Sequence, residues 1–192
     1  MRHSKYVFAG GDEPAAGKPQ PATGTDGGDR AEQASRRQAA AAGIRRFRGR
    51  DDLAVSFQST SSNPYKDDGS KIDIYADNES NEYWVDPQDG ALVQMGPQAR
   101  ADQKARKVGP DDRLPVADLR DKALTLAEAV RPGFGARRSS LHPLEDNKDR
   151  QIYFFRWDDF SAPLKESELP PFIQIGLSAD GRLVSLTNTL NK

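Results

Sequence analysis

Catalysis and ligation need side chains that ionise, coordinate or attack, and this chain of 192 residues is short of several kinds. It has no cysteine, which removes thiolate nucleophiles, disulfides and thiolate-held zinc or iron-sulfur centres. Its two histidines, His3 and His142, are too few for a multi-histidine metal site, and neither has a serine and an acid arranged around it as a triad. Oxygen ligands crowd at Asp77, Glu79, Asn81 and Glu82, the kind of cluster that calcium takes. However, the sixth position holds Glu82 where a calcium loop needs glycine, and the distal glutamate is missing, so an acidic turn is the simpler reading. Asp158 and Asp159 follow Trp157, with Glu166 and Glu168 nearby, which would suit a glycosidase acid pair beside an aromatic platform. Charged strand ends and loops account for the same four acids. Gly11 to Lys18 resembles a phosphate loop, but its glycine spacing is one residue too long and Pro19 stands where the metal-binding hydroxyl belongs. No cofactor and no metal are therefore expected.

One basic cluster stands out, Arg45, Arg46, Arg48 and Arg50 around Phe47. Residues 1–50 carry 10 Lys and Arg against 5 Asp and Glu, a balance of +5, whereas residues 51–192 carry 18 against 24, a balance of −6. Such an arm can hold phosphates or anionic lipid by charge alone, with affinity that falls steeply as salt rises. Arginines at a helix C-terminus also complement the helix dipole and need no partner. The second account is preferred, and no nucleic-acid partner is expected.

The elements that must position these groups follow from the apolar pattern. Of the 36 Leu, Ile, Val and Phe residues, only Val7 and Phe8 precede Ile44, so the core is built almost wholly from the rest of the chain. Residues 10–29 combine prolines and glycines with hardly an apolar side chain and are expected to be a disordered linker. The basic start near Tyr6 and Val7 is too short in apolar residues for a readable export signal, and no stretch is long enough to span a bilayer. A helix is expected from Asp29 to Arg48, with Ala40, Ile44 and Phe47 as its buried stripe. Strands are expected near residues 53–58, 71–76, 82–86 and 91–95, the last two joined by the turn Pro87-Gln88-Asp89-Gly90. A second helix begins at Pro115, carries Val116, Leu119, Ala123, Leu126, Ala127 and Val130 on one face, and stops at Arg131-Pro132-Gly133. Strands near residues 137–141, 150–157, 172–178 and 182–189 complete the chain, with an Asp180-Gly181 hairpin between the last two. Tyr153, Phe154, Phe155 and Trp157 are expected to form a strand buried on one face, with Trp157 at its rim.

Both halves run helix, two strands, then a hairpin closed by Asp-Gly. Asp89-Gly90-Ala91-Leu92-Val93 is answered 91 positions later by Asp180-Gly181-Arg182-Leu183-Val184. This order points to a duplicated unit. Tyr83-Trp84-Val85-Asp86-Pro87-Gln88-Asp89-Gly90-Ala91-Leu92-Val93 resembles the hairpin of the PepSY domain, aromatic-x-Val-Asp-x-x-x-Gly-x-hydrophobic, and Leu119 to Pro132 resembles its helix. The second hairpin departs from the pattern, with Ser178 where an acid belongs, and the first helix lacks the terminal proline.

The resemblance, to the PepSY-like and peptidase propeptide-like domains, implies an α+β fold of two PepSY-like units. Each would be an amphipathic helix packed on a small antiparallel β-sheet, after a disordered N-terminal tail. Expected bounds are 1–29 for the tail, 30–97 for the first unit, 98–112 for a connector and 113–192 for the second unit. The resemblance further implies a non-catalytic, extracytoplasmic domain that binds a protein partner, a peptidase being the natural first one. The alternative is an electrostatic binder of nucleic acid or anionic membrane through the arm ending at Arg50. Arg45, Arg46, Arg48, Tyr83, Trp84 and Trp157 are the candidate interaction residues.

Overall fold

A computed structural model of the chain describes residues 26–98, 107–148, 151–164 and 169–190. Most of the expected tail, and the middle of the connector, lie outside them. The first half contains α1 (Asp26–Arg48), β1 (Val55–Ser62), β2 (Lys71–Asp77), β3 (Asn81–Val85) and β4 (Leu92–Pro97). The second contains α2 (Val116–Val130), a one-turn α3 (Phe134–Arg137), β5 (His142–Lys148), β6 (Ile152–Asp158), β7 (Phe172–Ser178) and β8 (Leu183–Asn188).

The α+β class and the helix and strand order agree with the sequence pattern, but the architecture differs in one respect. The strands form a single eight-stranded sheet in the order β1-β2-β3-β4-β8-β7-β6-β5, antiparallel throughout, and not two small sheets. The join is short, with only Gln94 opposite Thr187 and Met95 opposite Leu186, against seven paired positions between β6 and β7. Its physical reason is the edge problem. Two separate meanders would leave the outer sides of β4 and β8 with unpaired backbone groups, and pairing them removes both edges at once.

The helices lie on one face, α1 against β1 and α2 against β7 and β6. A single apolar cluster beneath them crosses the join, including Ile44 of α1, Leu119, Ala123 and Ala127 of α2, and Tyr75, Met95, Ile175 and Leu186 of the sheet. The expected stripes are thus largely the buried ones, with Ala40, Phe47, Leu126 and Val130 packed at the margin, but Val116, expected on the stripe of α2, is exposed at the start of that helix. α1 is otherwise exposed and draws its stability mainly from alanine propensity and a few anchors. One of these is Arg37, whose guanidinium carbon sits 3.5 Å from the centre of the Phe57 ring.

Three expectations need correction. β1 runs on to Ser62 through a bulge after Phe57, four residues beyond the expected strand end at residue 58. Residues 137–141, expected to be a strand, instead hold the last residue of α3, a helical turn over 138–140 and Leu141, so β5 starts at His142. The reason is Phe134, fully buried, whose ring packs edge-on against Trp157 with centroids 5.2 Å apart. That contact places Trp157 inside the core at 5% exposure, and not at its rim.

Leu186 is fully buried and pairs with Met95 at the join, so it reports on the join and the core together. Leu186→Ala should destabilise the protein by about 2–5 kcal/mol. The check is urea unfolding, where the midpoint should fall with an unchanged slope.

Candidate functional site

The helix end at Gly49 sets the first wall of the site. Gly49 takes a left-handed φ of 63°, its N–H donates to the Arg46 carbonyl at 3.1 Å, and the Arg50 N–H donates to the Arg45 carbonyl at 3.0 Å. This is the Schellman arrangement, and glycine is favoured because a Cβ is strained at that φ. The basic cluster is thereby divided. Arg45 turns inward and donates from Nε to the Leu53 carbonyl at 2.9 Å, whereas Arg46 is exposed. Arg48 and Arg50 both reach Glu79, at 3.1 and 3.0 Å, and Arg50 also pairs with Asp52 at 2.8 Å.

Glu79 is presented by a turn that the Asp77 carboxylate organises. Asp77 Oδ1 accepts from the N–H groups of Glu79 at 2.9 Å and Asn81 at 2.8 Å, and Oδ2 accepts from Asn81 Nδ2 at 2.9 Å and Tyr83 Oη at 2.6 Å. Burial opposes the charge on Asp77, but the hydrogen bonds from Tyr83, Asn81 and the backbone outweigh it and hold its carboxyl below the ordinary value. Burial first, then the Asp77 carboxylate, pushes the Tyr83 phenol well up. The calcium-like cluster is therefore consumed internally: Asp77 closes the turn, Glu79 takes the arginines, and Glu82 accepts from Trp84 Nε1 at 2.6 Å. Among the described residues no group of three or more His, Cys, Asp and Glu is placed to hold a metal ion.

The other expected residues are similarly accounted for. Tyr83 has 0% exposure and offers no surface, since its position on β3 faces the helices. Trp84 lies on the opposite, helix-free face, half-buried beside Tyr65 at 6.3 Å and paired across strands with Ile74 and Gln94. Asp158 is buried and accepts from Arg156 Nε at 2.6 Å, and Asp159 pairs with Arg137 at 2.9 Å. Glu166 and Glu168 lie outside the described residues. His142 opens β5, where its ring stands edge-on to Phe160 at 6.0 Å.

A cleft of about 1170 Å³ opens between α1 and α2 beside the β4–β8 join. Past Met95 and Leu186 the ladder stops, and Pro97, which has no N–H to offer, lines the cleft with Val184. One wall is Phe47, Arg48, Arg50 and Glu79, and the other is Lys122, Leu126, Arg182 and Leu183, with Lys107 and Ile152 at the end. The cleft thus carries five cations. Carboxylates pair with three of them, Glu79 with Arg48 and Arg50, Asp52 with Arg50, and Asp180 with Arg182 at 2.9 Å. Lys107 and Lys122 have no ion-pair partner among the described residues. Arg48 and Arg50 belong to the expected basic cluster. The cations of the other wall escape sequence reasoning, because Lys107, Lys122 and Arg182 come from three separate elements and share no short-range spacing.

No family model and no curated protein sequence matches the chain. Among solved structures, the Bacillus megaterium YpeB C-terminal domain is similar at a TM-score of 0.51 and 14% identity, covering 79% of this chain. The fold is similar to that of the YpeB C-terminal domain. That likeness supports the PepSY-like fold implied by the helix and hairpin motifs. The match spans 62% of the YpeB chain.

The depressed Asp77 carboxyl has a consequence for acid stability. A carboxyl lowered on folding stabilises fully above its unfolded value, near pH 4, and loses that contribution as pH falls through its folded value. Asp77→Asn should therefore cost about 1–3 kcal/mol at pH 7, and the gap to the parent should narrow below about pH 4. Denaturation at pH 7 and at pH 2.5 checks both.

Proposed function

We propose that the chain is a non-catalytic binding domain of the cell envelope whose partner is a protein, with a peptidase the first to test. The observation that carries this reading is the cleft, whose walls come from both halves of one sheet. The carboxylates around it are held by arginines and backbone N–H groups, which suits a fixed binding surface better than proton transfer. The peptidase expectation comes from the resemblance of the hairpin at Tyr83 to Val93 and the helix at Leu119 to Pro132 to PepSY domains, whose members are thought to restrain or assist peptidases. The strand order supports two copies of one unit, since a four-stranded meander with its own helix stands on each side of the β4–β8 join.

The envelope location rests on the same resemblance. Among the described residues no helix is long and apolar enough to cross a membrane. The electrostatic reading through the arm ending at Arg50 is the weaker one. Arg45, Arg48 and Arg50 each donate to an acceptor within the protein, and of that run only the exposed Arg46 has no such side-chain partner among the described residues.

Purified chain should leave peptide, ester and glycoside substrates intact, and should bind a purified thermolysin-like peptidase with a change in its rate of peptide hydrolysis. Turnover by the chain itself, abolished by Asp158→Asn or Asp159→Asn, would contradict the non-catalytic assignment. No binding across a panel of purified peptidases would remove the peptidase from it.

A further inference from the structure

We propose that the cleft receives an extended, acidic segment of the protein partner, with carboxylates interleaved among apolar side chains. This rests on the reading of the chain as a protein-binding domain and names the chemistry of what it holds.

Charge is the first ground. Lys107, Lys122 and Arg182 are exposed, and of the three only Arg182 has a carboxylate beside it, so the second wall presents positive charge that the fold itself leaves uncompensated among the described residues. Apolar surface is the second. Phe47, Leu126 and Leu183 pack at the margin of the core and line the cleft between the cations, so a purely polar anion would leave them in water. Size is the third. At about 1170 Å³ the cleft exceeds the ~300–1,000 Å³ usual for a small-molecule site, and suits a length of chain better than a single ion. The backbone adds a fourth. The ladder between β4 and β8 is two pairs long, and past its end Pro97 and Val184 line the cleft without pairing to each other, where an extended segment can meet them.

Fluorescence anisotropy of the full chain with a labelled twelve-residue probe, Glu-Glu-Leu repeated four times, tests the proposal. The same format with Lys-Lys-Leu, Glu-Glu-Gly and a dT twelve-mer supplies the comparisons. The acidic apolar probe should bind more tightly than the other three, and its affinity should fall as salt rises. Lys122→Gln with Arg182→Gln, both on exposed side chains, should weaken it by about tenfold or more. Arg46→Gln, which removes one exposed charge outside the cleft, should leave it unchanged. Equal binding of the lysine probe, an unaffected double variant, or the same loss with Arg46→Gln would overturn the proposal. Tighter binding of the dT twelve-mer, lost in the double variant, would also overturn it and reassign the cleft to nucleic acid. A peptidase that still binds the double variant at full strength would sink the acidic segment and leave the protein-binding reading standing. A chain that binds neither probe nor peptidase would end both.

Discussion

Everything in this molecule depends on two residue pairs, Gln94 with Thr187 and Met95 with Leu186. They turn two four-stranded meanders into one sheet, let one apolar cluster run beneath both helices, and remove two strand edges that would otherwise face water. The brevity of the join matters as much as its existence. A full ladder would have closed the sheet along its length, whereas this one ends near Pro97 and leaves an opening between the helices. Structure and candidate site have the same origin, a sheet joined at its middle and parted at one end.

The local signals in the sequence were largely sufficient. Proline and glycine at Pro87-Gln88-Asp89-Gly90 and at Asp180-Gly181 mark real hairpins, and both glycines take the positive φ that such turns need. The spacing of Leu119, Ala123 and Ala127 identifies the buried face of α2, because helix periodicity is a property of one segment. What escaped was decided between segments. Nothing within residues 92–97 says that they will pair with residues 183–188 instead of ending a sheet. Similarly, the α3 turn depends on Phe134 finding Trp157, 23 positions further along the chain.

The same distinction explains the candidate residues. Arg45, Arg46 and Arg48 look alike in the sequence, yet the helix end at Gly49 sends one inward, one to solvent and one to Glu79. Tyr83 and Trp84 are neighbours on a strand and therefore face opposite sides of the sheet, one sealed with Asp77 and the other half-open. Acidic residues that suggested metal chemistry instead fasten a turn, and through Glu79 they hold the arginines of one cleft wall in place.

The placement of the tryptophans gives each half of the sheet its own optical reporter. Trp84 lies in the first meander on the helix-free face, and Trp157 lies in the second, sealed against Phe134. With two tryptophans in the whole chain, emission from one half is separable from the other by a single Trp→Phe exchange. Whether the two meanders melt together or in turn is thus written into the protein's own fluorescence.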